Sequence, residues 1–449
     1  MITQPLSPTE TSEQHAAGNT TIATPISVFD SVSDLQIYKS RWLQRCQLYQ
    51  LRRAYYTGSI YGDPRYLRAL GLYSGVRSIF GPIRRAVRID VARVPGAWSL
   101  PDDAPEAHKA GIVALRKMIS AATTYDRMLM HGAIAGEFGL LMQDDRRSRQ
   151  IRMIPLRPDE IVTGQRASGE PFGLVLKKGL VDRAGVYEYA QLITPSTIST
   201  YRNGAPHDYD TGGAIRLNAL GFVPLQLWSY LSGEDGAGEC AFSGAEEQLN
   251  RVNDAASQAL DVVQRNAEPI AVFSGVNEIK QDENSNAIVL NETDAKAYTL
   301  TPNLVIDQAL ALIQEVKKEF KATLPQLIYD ELISRNDLAY DTVLTLCGEL
   351  IDHVGSVRRN VDAAIVQAEQ WAIMAAQQMQ IPALAGLDPA QHQLDPDRYV
   401  IQPTPSQKLD LESKKIALER ARRELENPQP KTPRAITIQR PSRPSRPEN

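Results

Sequence analysis

With 449 residues, 43% of them hydrophobic and 23% charged, the chain has the composition of a folded protein with a sizeable core, which excludes the disordered and fibrous classes. That length allows one large irregular assembly subunit or roughly two to four ordinary domains. A formal charge of −4 names no partner, and three scattered cysteines (Cys46, Cys240, Cys347) without a CxxC exclude a disulfide framework and a zinc knuckle and fit a reducing compartment.

Residues 1–27 are rich in Ser, Thr, Pro and Gln and lack periodicity, so they are expected to form a disordered arm. They carry neither a basic start nor an apolar h-region, and no later stretch reaches the ~20 apolar residues of a membrane span. The chain therefore reads as soluble and cytosolic. A helix is predicted from Ser33, with Leu35, Tyr38, Trp42, Cys46, Tyr49 and Arg53 on one side at spacings of three and four. It ends at Tyr55-Tyr56-Thr57-Gly58, where Gly58 is the C-cap. A mixed region over 64–95 includes the basic run Pro82-Ile-Arg-Arg-Ala-Val-Arg88, and further helix is expected over 105–137, with Ile112, Leu115, Met118, Ile119 and Ala122 on one face.

The character changes at Glu137-Phe-Gly-Leu-Leu-Met142. Short apolar runs now alternate with turn signals: Ile151–Leu156, Phe172–Leu176, Gly185–Leu192 and Thr197–Tyr201, separated by Asp144-Asp145, Ala167-Ser-Gly169 and Arg202-Asn-Gly204. No helical pattern separates these strands, so the module is antiparallel.

After Val223–Leu227 the helices return. Gly244–Ala267 places Leu249, Val252, Ala256, Ala259 and Val263 on one face; Pro269 ends it, and Ile270–Phe273 with Ala287–Leu290 reads as a small hairpin-like insert. Pro302-Asn303 opens a second helix, and Pro325 makes 321–337 a loop or broken helix. From Leu338 to Gln380 the residues Val343, Cys347, Leu350, Val354, Val357, Val361, Ala364, Ala368 and Trp371 alternate four-three without a miss, the mark of one long helix buried along a seam of ~60 Å at 1.5 Å per residue. A Pro/Gln-rich stretch (382–405), a charged helix (Lys408–Glu426) and a Pro/Arg-rich tail complete the chain; the tail, 428–449, holds 5 Lys/Arg against one Glu and is expected to be disordered.

Charge is unevenly placed. Leu35–Arg93 holds 12 Lys/Arg against 2 Asp/Glu, and Gly244–Asp337 holds 8 against 16. The two blocks suit attraction to each other, different partners, or simply solvated faces.

The search for catalytic chemistry is mostly negative. No GxxxxGK[ST] loop and no GxGxxG after a strand offers a phosphate nest, and no GxSxG offers a nucleophile elbow. Six histidines (His15, His108, His131, His207, His353, His392) are scattered, with neither HExxH nor HxH, so each reads first as a structural or exposed residue. Asp144-Asp145 and Asp282-Glu283 are acidic pairs in turn-like contexts, where such residues are favoured for solvation alone. No cofactor or metal is implied.

What stands out instead is the order of elements, which resembles the portal proteins of tailed double-stranded DNA bacteriophages. Tyr55-Tyr56-Thr57-Gly58 resembles that family's "YY-x-G" end of the first helix, and Glu137–Met142 resembles its "GEAYLLV" lead into the wing. Asn218-Ala-Leu-Gly-Phe-Val-Pro224 resembles its "N-x-LG-x-[IV]-P" step, and Ser243-Gly244 resembles its "SGxSDLE" approach to the stem. Gly244-Ala-Glu-Glu247 departs from that last pattern in lacking the Ser-Asp pair. The resemblance spans about 33–425. It implies an α+β, mainly α subunit: a wing over 28–243 (β-rich over 137–230), a stem helix over 244–267, a clip over 268–301, a second stem helix over 302–320, a tunnel loop over 321–337, a long wing helix over 338–381 and a crown over 382–427.

The resemblance also implies a function without catalysis: a ring at the capsid vertex, through which DNA is packaged and ejected. It implies as partners further copies of the chain in a dodecamer, duplex DNA, the terminase large subunit, the major capsid and scaffolding proteins and a head–tail adaptor, with no membrane. Localisation would be the virion, after assembly in the host cytoplasm. In a ring, every wall residue is repeated, so one lysine becomes a belt of charge, and the acidic balance of 244–337 suits a wall that does not grip phosphates. Candidate channel residues are Lys317, Lys318, Lys321, Gln326 and Arg335; candidate clip residues for docking motor and connector are Asn277, Lys280, Asp282, Glu283, Asn291 and Glu292. The lysines suit subunit pairing with Glu315, Glu319 or Asp307 equally well. Two other readings use the same residues: a nucleic-acid-processing enzyme with an atypical acidic metal site at Asp144-Asp145, or another phage head or adaptor protein.

Overall fold

The computed structural model describes residues 27–401 apart from 72–79, 147, 184, 210–212, 234–236, 268–269, 275–279, 282–287, 290–295, 301–305, 334–339 and 397. Beyond these it describes 409, 413–414, 416–420 and 422; over 262–310, and at 69, 97, 312 and 333, only the backbone is described. Residues up to Val400 cluster as one compact unit, and those from Ile401 as another. The fold is α+β, mainly α, with every strand pairing antiparallel.

Helical structure opens the first unit: α1 (Val28–Ser31), α2 (Gln36–Thr57), α3 (Pro64–Ala69), α4 (Ile83–Arg93), α5 (Glu106–Met118) and α6 (Ala121–Ala135). Gly58 closes α2 at φ 77°, the left-handed C-cap expected from the sequence. Gly136 does the same for α6 at φ 86°, and a Cβ there would collide with Arg52 Nη1 and the Gly238 carbonyl.

The β module follows at once. A three-stranded sheet runs β2 (Gln150–Leu156), β1 (Glu137–Asp145), β9 (Leu225–Ser229). A larger sheet runs β3 (Ile161–Gln165), β4 (Pro171–Asp182), β5 (Gly185–Ile193), β6 (Thr197–Arg202), β7 (Ala205–Pro206), with β8 (Ile215–Leu217) also on β6. Alternation decides what each face buries. Phe172, Leu174, Leu176, Ala190 and Leu192 pack on Val28, Phe29, Leu35 and Trp42, whereas Val175 and Ile193 pack on Leu141, Leu156, Ile161 and Leu225. The large sheet is thus held between α1/α2 and the small sheet. Strands β10 (Leu231–Ser232) and β11 (Gly238–Glu239) form a short pair.

Helix α7 (Glu246–Ala267) packs on α8 (Ile306–Ala322). Among the described residues, the insert between them contains two strand pairs: β12 (Ile270–Ser274) with β15 (Lys296–Leu300), and β13 (Lys280–Gln281) with β14 (Ile288–Val289). The sequence reading missed β15, which closes the insert at its base. Helix α9 (Pro325–Ile333) then takes up most of the segment expected as a loop or broken helix, with Pro325 in its first turn, where a missing N–H costs nothing.

The long helix is two, α10 (Tyr340–Leu346) and α11 (Gly348–Gln378), parted at Cys347. Its seam is real: Cys347, Leu350, Val354, Val357, Val361, Ala364, Ala368 and Trp371 are all buried. The break falls where β-branched Val343 and Thr345 meet Gly348, each unfavourable in a helix interior. Residues 382–400, which the resemblance groups with the crown, pack within the first unit through buried Leu384, Leu387, His392 and Leu394. In the second unit the described residues between 409 and 422 are helical, and Leu409, Ile416 and Leu418 are exposed.

Candidate functional site

The candidate site is the corner where α8 turns into α9. Phe320 fixes it: the ring is fully buried and meets Phe80 edge-on, 5.7 Å between centroids. Phe80 is in turn clamped by buried Asn253 of α7, whose Oδ1 accepts from the Phe80 N–H and whose Nδ2 donates to its carbonyl at 3.1 Å. Asn250, one turn earlier, accepts from the Tyr61 hydroxyl at 2.9 Å and donates to Tyr55 at 2.8 Å. A polar stripe on α7 thereby seats that helix on the N-terminal helices.

Lys317, Lys318 and Lys321 occupy the last turns of α8, where the helix dipole favours cations. They do not share one environment. Lys317 lies over the Phe80 ring at 5.1 Å, Lys318 is exposed, and Lys321 pairs with Glu331 of α9 at 3.2 Å. Gln326 must be withdrawn as a wall residue. It is 0% exposed, and its Nε2 lies 3.3 Å from the Ala241 carbonyl and 3.1 Å from His353 Nε2. Its Nε2 faces the Ala241 carbonyl while its Oε1 is buried without a hydrogen-bond partner, so this amide is held inside the corner, which polarity alone did not reveal. Arg335 lies outside the described residues, as do Asn277, Asp282, Glu283, Asn291 and Glu292. Lys280 is in β13, where only the backbone is described.

Three buried networks, none of them legible in the sequence, hold this corner and the long helix to the rest of the first unit. In the first, Asp90 of α4 is 0% exposed, accepts from the Tyr230 hydroxyl at 2.8 Å, and lies 3.1 Å from His353 Nε2 of α11. Burial disfavours the charged ring, but the hydrogen bond and charge of Asp90 outweigh it and raise the His353 pKa. Since His353 also meets Gln326, α4, α9 and α11 are joined at one point. Two outer contacts reinforce it: Arg85 pairs with Asp330 at 2.6 Å, and Arg93 lies over Tyr329 at 4.7 Å. The basic N-terminal block and the acidic middle do meet here, within one chain.

In the second network Glu369, 0% exposed, takes two bonds from Arg116 (2.7 and 3.1 Å), one from Tyr125 (2.7 Å) and one from His392 (2.6 Å). Burial opposes its charge, but the bonds from His392 and Arg116 prevail and hold the carboxyl down at about 2. In the third, Arg358 donates to the carbonyls of Val94, Arg93, Arg398 and Tyr399. Its burial, with Arg398 close by, lowers its pKa to about 10.

The arrangement joins α4, α9 and α11 through buried polar contacts. A shallow polar pocket is lined by Asp103, His108, Gln391 and Gln393 with Pro101, Ala104 and Pro105. Asp144, a candidate for metal chemistry, pairs with Arg146 at 3.0 Å, and Asp145 accepts from the Ser148 N–H. Among the described residues no group of three or more His, Cys, Asp or Glu is placed to hold a metal ion. No described helix is long and apolar enough to cross a membrane.

No family model matches the chain, and no curated protein matches it. Among solved structures it is similar to a chain of the neck of an empty GTA particle computed with C6 symmetry, at 15% identity and a TM-score of 0.38, over 68% of this chain and 83% of that one. A likeness that loose carries no argument about function, which rests on this chain's own order of elements and geometry.

Proposed function

We propose that the chain is a portal subunit, one of a ring of copies that forms a conduit for duplex DNA at the vertex of a phage-type capsid. One observation carries the reading: two long helices, α7 and α8, pack on each other, bracket an insert closed by paired strands, and lead into a cornered helix fastened to an antiparallel wing. In that reading α7 and α8 are the stem, the insert is the clip on which the terminase large subunit and later a head–tail adaptor dock, and the corner faces the bore. Lys318 is the foremost candidate for DNA contact, Lys321 being partly offset by Glu331 and Lys317 lying on Phe80. Arg335 and the clip residues Asn277, Lys280, Asp282, Glu283, Asn291 and Glu292 keep their proposed roles.

Mass photometry and negative-stain imaging of the purified chain test the proposal. Rings of roughly twelve subunits with cyclic symmetry are expected. A monomer that cleaves DNA when given a divalent metal would overturn it in favour of a processing enzyme.

A further inference from the structure

One ring nitrogen of His353, on α11, stands in two contacts that ask opposite things of it. Its Nε2 lies 3.1 Å from Asp90 Oδ2 on α4 and 3.1 Å from Gln326 Nε2 on α9. Asp90 Oδ2 already accepts from the Tyr230 hydroxyl at 2.8 Å, so it presents an acceptor to the ring. Gln326 presents a donor. Its Nε2 faces the Ala241 carbonyl at 3.3 Å, and turning the amide over would set Oε1 against that carbonyl, acceptor to acceptor.

A single imidazole nitrogen can satisfy only one of these partners at a time. Carrying a proton, Nε2 donates to Asp90 and meets the Gln326 amide donor to donor. Without the proton, Nε2 accepts from Gln326 and meets Asp90 acceptor to acceptor. The other charged groups on the surrounding helices are engaged elsewhere or face solvent. Arg85 of α4 pairs with Asp330 of α9, Arg93 of α4 lies over Tyr329 of α9, and Arg358 of α11 donates to backbone carbonyls. Glu349 and Asp352, on α11 itself, are exposed. Asp90 is the group whose charge acts on the ring, and with its hydrogen bond it keeps the ring titrating above 6.5 despite burial.

We propose that His353 is a proton-operated selector at the corner, serving α4 when Nε2 holds a proton and α9 when it does not. Raising the pH then fastens α9 to α11, even as it removes the Asp90 contact that stabilises the fold as a whole. The two effects have opposite signs, which separates a selector from a histidine that is only an ion-pair partner. The device belongs to the single chain and stands whether or not copies of it form a ring.

Amide exchange of the full chain at about pH 6 and about pH 9, corrected for the intrinsic base-catalysed rate, tests it. From the lower to the higher pH, opening of α9 is expected to become about fivefold rarer, the worth of one net hydrogen bond, while the midpoint of global denaturation falls. Protection of α9 that stays constant or declines as pH rises would overturn the proposal. Gln326→Met keeps the length of the side chain and removes its amide donor. In that variant α9 protection is expected to lose its pH dependence while the global midpoint still falls; an α9 response as large as in the parent chain would overturn the assignment of Gln326 as the alkaline partner.

Discussion

Glu369 sits out of reach of water with Arg116, Tyr125 and His392 around it, and a carboxylate so placed has a defined cost of removal. Glu369→Ala leaves the buried Tyr125 hydroxyl and His392 ring and the half-buried Arg116 guanidinium without their partner and is expected to cost about 3 kcal/mol in chemical denaturation; a loss under about 1 kcal/mol would show that the network is only decorative. Its pH signature has a fixed sign. A carboxyl lowered from an ordinary 4.5 to about 2 contributes stability that is present above 4.5 and lost as pH falls toward 2. Glu369→Gln should therefore flatten the acid limb of a stability–pH curve. His353 acts oppositely: with its pKa raised by Asp90, it contributes stability present below 6.5 and lost as pH rises through the folded value. His353→Gln should flatten that alkaline limb, and an unchanged limb would mean that Asp90 does not hold a proton on the ring. Neither group was legible in the sequence. His353 looked like any lone histidine, and Glu369, one residue past the apolar seam position Ala368, carries no local mark of its distant partners Arg116, Tyr125 and His392. A faint signal existed for Asp90, one of two acids in a block of 12 basic residues.

Periodicity and turn chemistry placed the elements well, because both are local properties. The end of α2 at Gly58, the strands from Glu137 to Arg202 and the seam from Cys347 to Trp371 all follow from residue spacing. Misses came where the deciding partner is distant in sequence. Strand β15 reads as unremarkable polar chain until β12 is set beside it, and Gln326 reads as wall until His353 and Ala241 surround it. The β12–β15 ladder carries an element-level prediction. Replacing 275–295 by a two-residue turn should leave ring assembly intact, by imaging, while abolishing motor docking, by pull-down. Loss of the ring would place the insert in the subunit interface instead.

Across the whole molecule, function in this reading belongs to many copies rather than to one, so a small change of charge is multiplied. Lys318→Glu alters each subunit by two units and a ring of roughly twelve by roughly twenty-four. It is expected to leave assembly and thermal unfolding unchanged but to slow DNA packaging in a motor-driven assay in a salt-dependent way. Equal packaging at low and high salt would place that lysine away from the passing duplex. The arrest of α9 has a mechanical consequence as well. Gln326 of that short helix meets His353 of α11, while Asp330 and Tyr329 meet Arg85 and Arg93 of α4. A pull on α9 would load α4 and α11 together, at the point where Asp90 meets His353.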